Sequence, residues 1–260
     1  MSRKKFRHLS IFVIIIASLG LAVPAWQHYL ADTYSSDGLW RGTFDINGRG
    51  PFNLTALYVG EEVVAISEDA RVLYRGMVGL DGSNYQSSMD MFFMNANPFG
   101  KVELKGHMPA SGEIVAHFKT LEVGDEGELH MQMNQETYHR SSSFEHIKGR
   151  WVLYRGYEIT QININENGNI QGGNTAACEH SGQVGIIDEQ YNAYQIKLAI
   201  SSCNDRDGYL EGLAYLGSSV EADDTLHIYA FNDDWGLYMP IVRNDDSRNI
   251  DKREKPTLES

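Results

Sequence analysis

The chain has 260 residues and a formal net charge of −13, from 22 basic and 35 acidic residues. Four of the basic residues lie within residues 1–25, which hold no acidic residue, so the rest of the chain carries 18 basic against 35 acidic residues. Such an acidic chain is a poor match for nucleic acid or for an anionic lipid surface, because phosphate binding depends on clustered lysine and arginine. The charge leaves two interpretations open: a solvated surface, or a docking face for a basic partner protein.

Residues 1–30 have the layout of an export segment. A basic stretch from Arg3 to His8 precedes an apolar run over residues 11–23, which is the order of a signal peptide. Cleavage would fall near Ala25; alternatively, residues 9–26 are just long enough to span a bilayer as an uncleaved anchor. Because the positive flank stays inside, both alternatives predict a body in the periplasm, either released or tethered to the inner membrane.

From residue 36 onward the pattern is that of antiparallel β-strands. Residues 101–108 and 127–134 alternate between apolar and polar side chains, which is the period of two expected of half-buried strands. Turn pairs, Asn47-Gly48 among them, separate the runs and favour tight hairpins. Counting the runs predicts about eight strands in each half of the body.

The body also resembles two copies of one unit. Short matches recur in one order along the two halves: Gly38-Leu-Trp40 with Gly149-Arg-Trp151, Gly76–Leu80 with Gly182–Ile186, Tyr85-Gln86 with Tyr194-Gln195, Leu104–Gly106 with Leu210–Gly212, and Leu129-His130 with Leu226-His227. We therefore predict tandem domains at residues 36–140 and 146–243, followed by a disordered, charged tail over residues 244–260.

The predicted fold class is all-β, with two tandem antiparallel meander barrels. Short turns between successive strands favour a meander, and closure into a barrel removes the exposed edges of each sheet. A β-sandwich is the second choice, because the spacing of the strands fits that architecture as well.

Each repeat opens with Gly-x-Trp, at Trp40 and Trp151, and closes near an arginine, at Arg140 and Arg243. In this the chain resembles the lipocalin, or calycin, barrels, in which a tryptophan of the first strand packs under an arginine that closes the base of the barrel. A guanidinium over an indole is a favourable cation–π contact. The resemblance implies a barrel-closing role for these four residues and a ligand-carrying function.

The two cysteines of the chain, Cys178 and Cys203, both lie in the second repeat. In an oxidising compartment, an even pair this close in sequence predicts one disulfide. Two buried free thiols are the alternative.

Aromatic residues crowd the last strands of the second repeat and form the candidate binding surface for a ligand or partner: Tyr209, Tyr215, Tyr229, Phe231, Trp235 and Tyr238. Both faces of the strand that carries Tyr229 and Phe231 are apolar. We therefore predict that one face lines the core of the barrel and that the other face makes a second contact. That contact could be the first repeat, a partner protein or a ligand in the mouth of the barrel.

Motifs for catalysis and metal binding are not found in the sequence. It carries no nucleophile elbow, phosphate-binding glycine loop or zinc-binding helix motif. The segment Asn163–Gly168 imitates half of a calcium loop but has amides where carboxylates are needed, so we interpret it as a hairpin turn. We interpret the nine histidines as solvent-facing, and we expect neither a metal nor another cofactor.

Together these features predict an exported, non-enzymatic protein of the cell envelope that binds a partner protein or a small apolar ligand through its β-barrels. The alternative is an assembly or accessory factor of an inner-membrane or periplasmic complex, acting through the acidic surface and the groove between the barrels. A hydrolase with a site between the repeats is the least favoured hypothesis. Membrane contact is expected through the N-terminal segment alone, and no contact with nucleic acid is expected.

Overall fold

The computed structural model describes residues 35–109, 112–218 and 223–244. The predicted export segment, and the predicted tail beyond Asn244, lie outside the described residues. Within the described part of the chain, no helix is long and apolar enough to cross a bilayer.

The described residues form two closed barrels, each a meander of eight antiparallel strands. The first barrel contains β1 (Gly38–Ile46), β2 (Arg49–Val59), β3 (Glu62–Ser67), β4 (Val72–Asp81), β5 (Asn84–Phe93), β6 (Pro98–His107), β7 (Glu113–Thr120) and β8 (Glu126–Met133). Two short helices, α1 (Gln135–Tyr138) and α2 (Phe144–Ile147), connect it to the second barrel.

The second barrel repeats this order of strands. It contains β9 (Gly149–Arg155), β10 (Glu158–Ile164), β11 (Asn169–Asn174), β12 (Glu179–Ile186), β13 (Tyr194–Ser201), β14 (Gly208–Gly217), β15 (Thr225–Phe231) and β16 (Gly236–Arg243). A single 3₁₀ turn, Asn204–Arg206, lies between β13 and β14.

Each sheet closes because its first strand pairs with its last. In the first barrel the closing ladder runs from Trp40 opposite Met133 to Phe44 opposite Leu129, and in the second barrel β16 closes on β9. The all-β prediction of two tandem meander barrels is therefore confirmed, and the β-sandwich alternative is wrong.

The tryptophans of the two repeats occupy the same place in their barrels. Each is the third residue of the first strand, and each indole N–H donates to the carbonyl of the residue four positions earlier. The acceptor is Ser36 for Trp40, at 2.9 Å, and Ile147 for Trp151, at 2.8 Å. We call this end of each barrel the base end. The opposite end, which carries the β1–β2 and β9–β10 turns, is the mouth end.

Two glycine pairs also match between the barrels, on the fourth and sixth strands. A Cβ on Gly106 would lie 2.1 Å from the carbonyl oxygen of Val115, and one on Gly212 would lie 2.1 Å from that of Tyr229. Glycine is needed where the backbone of a neighbouring strand approaches this closely, which explains why these positions recur. The match of Leu129-His130 with Leu226-His227 is wrong, because the first pair lies on the eighth strand of its barrel and the second pair on the seventh.

The inward side chains form an apolar core in each barrel, and a third apolar cluster lies between the barrels. At the mouth end, the Gly236 N–H donates to the carbonyl of Ala96, at 3.0 Å. At the base end, the Asn192 N–H donates to the carbonyl of Tyr138, at 2.9 Å. The two barrels therefore lie side by side with their mouths facing the same way.

Candidate functional site: an apolar cavity in the first barrel

The first barrel contains a cavity of about 200 Å³ at its mouth end. Its wall consists almost entirely of apolar side chains that point inward from seven of the eight strands or lie in the loops above them. The lining residues are Phe44, Ile46, Leu54, Ala70, Val72, Tyr74, Met89, Met91, Phe99, Val102, Leu104, Phe118, Thr120, Val123, Asp125 and Leu129. Val123 is 60% exposed, so the cavity reaches the molecular surface at the β7–β8 loop.

Three lining residues carry polar side chains, and two of these side chains make hydrogen bonds to other residues of the protein. The Thr120 hydroxyl donates to the carbonyl of Asp125, at 3.2 Å, and accepts from its N–H, at 2.8 Å. The Asp125 carboxylate accepts from the side-chain amide of Asn47, at 2.6 Å. The hydroxyl of Tyr74, the third polar residue, has no hydrogen-bond partner among the described residues, and burial raises its pKa.

The mouth of the second barrel is closed by its own side chains. Trp235, in the β15–β16 loop, is buried and belongs to the core of that barrel. Beside it a disulfide joins Cys178, in the β11–β12 loop, to Cys203, in the β13–β14 loop, with their Cα atoms 4.7 Å apart. The predicted disulfide is therefore confirmed, and it connects loops at the mouth of the barrel.

Four of the six aromatic candidates lie between the barrels. Tyr215, Tyr229, Phe231 and Tyr238 project outward from β14–β16 and are buried against the outer face of the first barrel. The rings of Phe231 and Phe92 lie 5.2 Å apart. The additional contact inferred from the two apolar faces of β15 is thus with the first barrel, and these four residues do not form a free surface in the described chain.

The other two aromatic candidates lie apart from this contact. Trp235 packs inside the second barrel, whereas Tyr209 is 81% exposed at the start of β14. The structure therefore does not bring the six residues together into one site. A role for them in binding a ligand or another protein stays a prediction.

A polar aromatic group borders the contact between the barrels. The ring of His227 stacks on Tyr215, with centroids 4.5 Å apart, and its Nδ1 lies 2.8 Å from the hydroxyl of Tyr238. Burial, and then the positive charge of Arg41, lower the pKa of His227 to about 4. His227 is therefore neutral at physiological pH, so its Nδ1 can accept a hydrogen bond from the Tyr238 hydroxyl.

The two barrel-closing pairs differ. The guanidinium of Arg243 lies 4.3 Å from the centroid of the Trp151 ring, which is the contact that the resemblance implies. Arg140 instead donates to the carboxylate of Asp223 and to the carbonyl of Leu216, in the second barrel. The expected Arg140–Trp40 contact is therefore replaced by a link between the barrels, because Arg140 follows helix α1 and has already left the base of the first barrel.

The prediction that all histidines face solvent is wrong for two of them. His180 is buried and His227 is partly buried in the second barrel, whereas His107, His117 and His130 of the first barrel are exposed. Among the described residues, no group of three or more histidine, cysteine, aspartate or glutamate side chains could hold a metal ion.

Sequence reasoning missed the cavity. The available signal was the inward alternation of Met89 and Met91 on β5, since methionine fills irregular space and adapts to ligands. Comparison of the chain with protein-family models, with curated proteins and with solved structures gives no match.

Proposed function

We propose that this chain is an exported, non-enzymatic envelope protein that binds a small apolar ligand in the first of two lipocalin-like barrels. The cavity at the mouth end of the first barrel is the observation that carries the proposal. It is concave, almost wholly apolar and open at one side, which are the properties of small-molecule sites. The Trp151–Arg243 contact supports the lipocalin-like assignment, and the disulfide supports export to an oxidising compartment.

The proposal is tested by titrating toluene into full-length protein labelled with ¹³C at its methionine methyl groups. We expect shifts of the Met89 and Met91 signals, because both residues line the cavity. The Met239 signal, from the core of the second barrel, should not move.

A matched pair of variants separates the cavity from the surface. Ala70→Trp, in the β3–β4 loop, places an indole at the cavity wall and should weaken toluene binding at least ten-fold. Ala176→Trp changes the corresponding loop of the second barrel, where the alanine is exposed, and should leave binding unchanged. Absence of any Met89 or Met91 shift up to the solubility limit of toluene would overturn the proposal.

The assembly-factor hypothesis has one observation in its favour. Phe93, Leu121 and Val123 are large apolar side chains that are more than half exposed near the mouth of the first barrel. A photoreactive amino acid at position 93, compared with one at the exposed position His117 on the side of the barrel, tests this hypothesis in intact cells. A defined protein cross-linked from position 93 alone would favour it, and equal or absent cross-linking would remove it.

A further inference from the structure

The side chain of Tyr74 places a hydroxyl group on the mostly apolar wall of the cavity. Tyr74 is the third residue of β4, and its ring packs into the core of the first barrel. The preceding residue, Leu73, faces the second barrel instead. The alternation of the strand therefore directs Tyr74 into the cavity.

The Tyr74 hydroxyl is a hydrogen-bond donor that has no partner in the part of the chain that the structure describes. Burial raises its pKa, so the group keeps its proton at physiological pH. The other hydroxyl of the wall, on Thr120, is occupied by the backbone of Asp125. The Tyr74 hydroxyl lines the cavity, so a ligand oxygen placed against it would accept a hydrogen bond inside an otherwise apolar wall.

The charge of the wall excludes an anionic ligand. None of the sixteen described lining residues is Lys, Arg or His, and Asp125 is the one that carries a charge. Glu122 lies next to the mouth, where its carboxylate accepts from the backbone N–H of Lys101 at 2.6 Å. A carboxylate ligand would therefore be desolvated beside negative charge with no cation on the wall, which is unfavourable.

The volume limits the ligand to a compact molecule. Apolar cavities of about 150 Å³ in other proteins bind benzene, and this cavity is about 200 Å³. The enclosed part of the ligand is therefore on the order of ten non-hydrogen atoms.

We propose that the first barrel selects a compact, uncharged amphiphile, with an apolar body in the cavity and one neutral oxygen that accepts a hydrogen bond from Tyr74. This inference rests on the proposed function, since it presupposes that the cavity binds ligands. It adds the chemical class of the ligand and assigns Tyr74 as the residue that determines specificity.

The test compares three probes of similar shape: toluene, benzyl alcohol and benzoate. Their affinities are measured from the Met89 and Met91 methyl signals, in full-length wild-type protein and in Tyr74→Phe, which removes only the hydroxyl. We expect Tyr74→Phe to weaken benzyl alcohol binding about five-fold, the value of one neutral hydrogen bond, and to leave toluene binding within about two-fold of wild type. Benzoate should bind wild-type protein at least ten-fold more weakly than benzyl alcohol.

Two controls keep the outcomes distinct. Met108 is buried in the same barrel but does not line the cavity, so an unchanged Met108 signal shows that Tyr74→Phe is folded. Asp125→Asn should narrow the gap between benzoate and benzyl alcohol, because it removes the negative charge of the wall.

The inference is overturned if Tyr74→Phe weakens toluene and benzyl alcohol equally, or if benzoate binds as tightly as benzyl alcohol. Either result, with toluene bound, would leave the proposed function intact. If toluene does not shift the Met89 and Met91 signals, the proposed function itself fails.

Discussion

The mouths of the two barrels differ, although their bases share a buried tryptophan. At both bases a tryptophan on the first strand is buried and donates to the backbone four residues earlier. At the mouth of the first barrel, Val123 is exposed beside an open cavity, whereas Trp235, in the corresponding loop of the second barrel, is buried in the core. The strand framework is thus shared, and the loops decide whether an interior is open.

The cores of the two barrels also differ in residue composition. The core of the first barrel contains four methionines, Met89, Met91, Met108 and Met131. The core of the second contains one methionine, Met239, and eight isoleucines: Ile147, Ile162, Ile164, Ile170, Ile196, Ile200, Ile228 and Ile241. Methionine adapts to irregular space and to changing contacts, whereas isoleucine is stiff at χ1. The same fold therefore encloses an apolar cavity in one barrel and a core rich in isoleucine in the other.

Removing the side chain of Trp235 is the strongest way to break this contrast. Trp235→Ala should lower the free energy of unfolding by about 4 kcal/mol, because a large core side chain is lost and a cavity remains. It should also open the second barrel, so that toluene then shifts the Met239 methyl signal. Urea denaturation and the methyl titration measure the two effects.

Val123→Ala, in the matching loop of the first barrel, is the control for Trp235→Ala. Its side chain is mostly exposed, so the free energy of unfolding should change by less than about 0.5 kcal/mol. Equal losses of stability in the two variants would contradict the assignment of Trp235 as a plug.

Reducing the disulfide tests whether the mouth of the second barrel is held independently of the first. The bond spans 25 residues, so its loss should lower the free energy of unfolding by about 3 kcal/mol. Denaturation with and without reductant, repeated with Cys178→Ser/Cys203→Ser, provides the measurement. Toluene affinity at Met89 and Met91 should be unchanged, and a large change there would show that the two mouths are coupled.

Acid should weaken the second barrel through His227. Its pKa of about 4 lies below the ordinary value of about 6.5, so the unfolded chain binds the proton first. The stability from neutral His227 is therefore present above about pH 6.5 and lost as the pH falls towards 4, with about 2 kcal/mol lost between pH 7 and pH 5. Urea midpoints at both pH values measure this loss.

Two variants assign the acid effect to its residue. His227→Gln should shrink the difference between pH 7 and pH 5, because the buried titrating ring is gone. His130→Gln, at an exposed position of the first barrel, should leave it as in wild type. If His130→Gln had the larger effect, the contrast between exposed and buried histidines would be wrong.

Much of the framework could be predicted from local sequence. Alternation of apolar and polar side chains predicts strands such as β6, and turn pairs such as Asn47-Gly48 predict the hairpins, because both depend on neighbouring residues alone. The recurrence of Trp40 as Trp151 predicted that the two halves share one framework, since each indole makes the same backbone hydrogen bond at the base of its barrel. The match of His130 with His227 failed because two-residue matches on alternating strands recur easily.

The candidate site could not be predicted in the same way. Whether Tyr74 reaches an open cavity depends on side chains from across the barrel and from loops far away in sequence, such as Val123. Arg140 was expected at Trp40, but its partners, Asp223 and Leu216, lie more than 70 residues away along the chain. Such contacts depend on how the two barrels pack, which no local pattern records.

The sequence by itself determined the all-β class, the presence of two barrels and the cysteine pair, because alternation, repetition and cysteine spacing are properties of the chain read in order. The tertiary structure alone decided that the aromatic face of the second barrel packs on the first, and that the first mouth is open while the second is closed. Those outcomes depend on the volumes of side chains that meet only after both sheets have closed. The cavity is lined by residues from many strands and loops, so no single segment of the sequence predicts it.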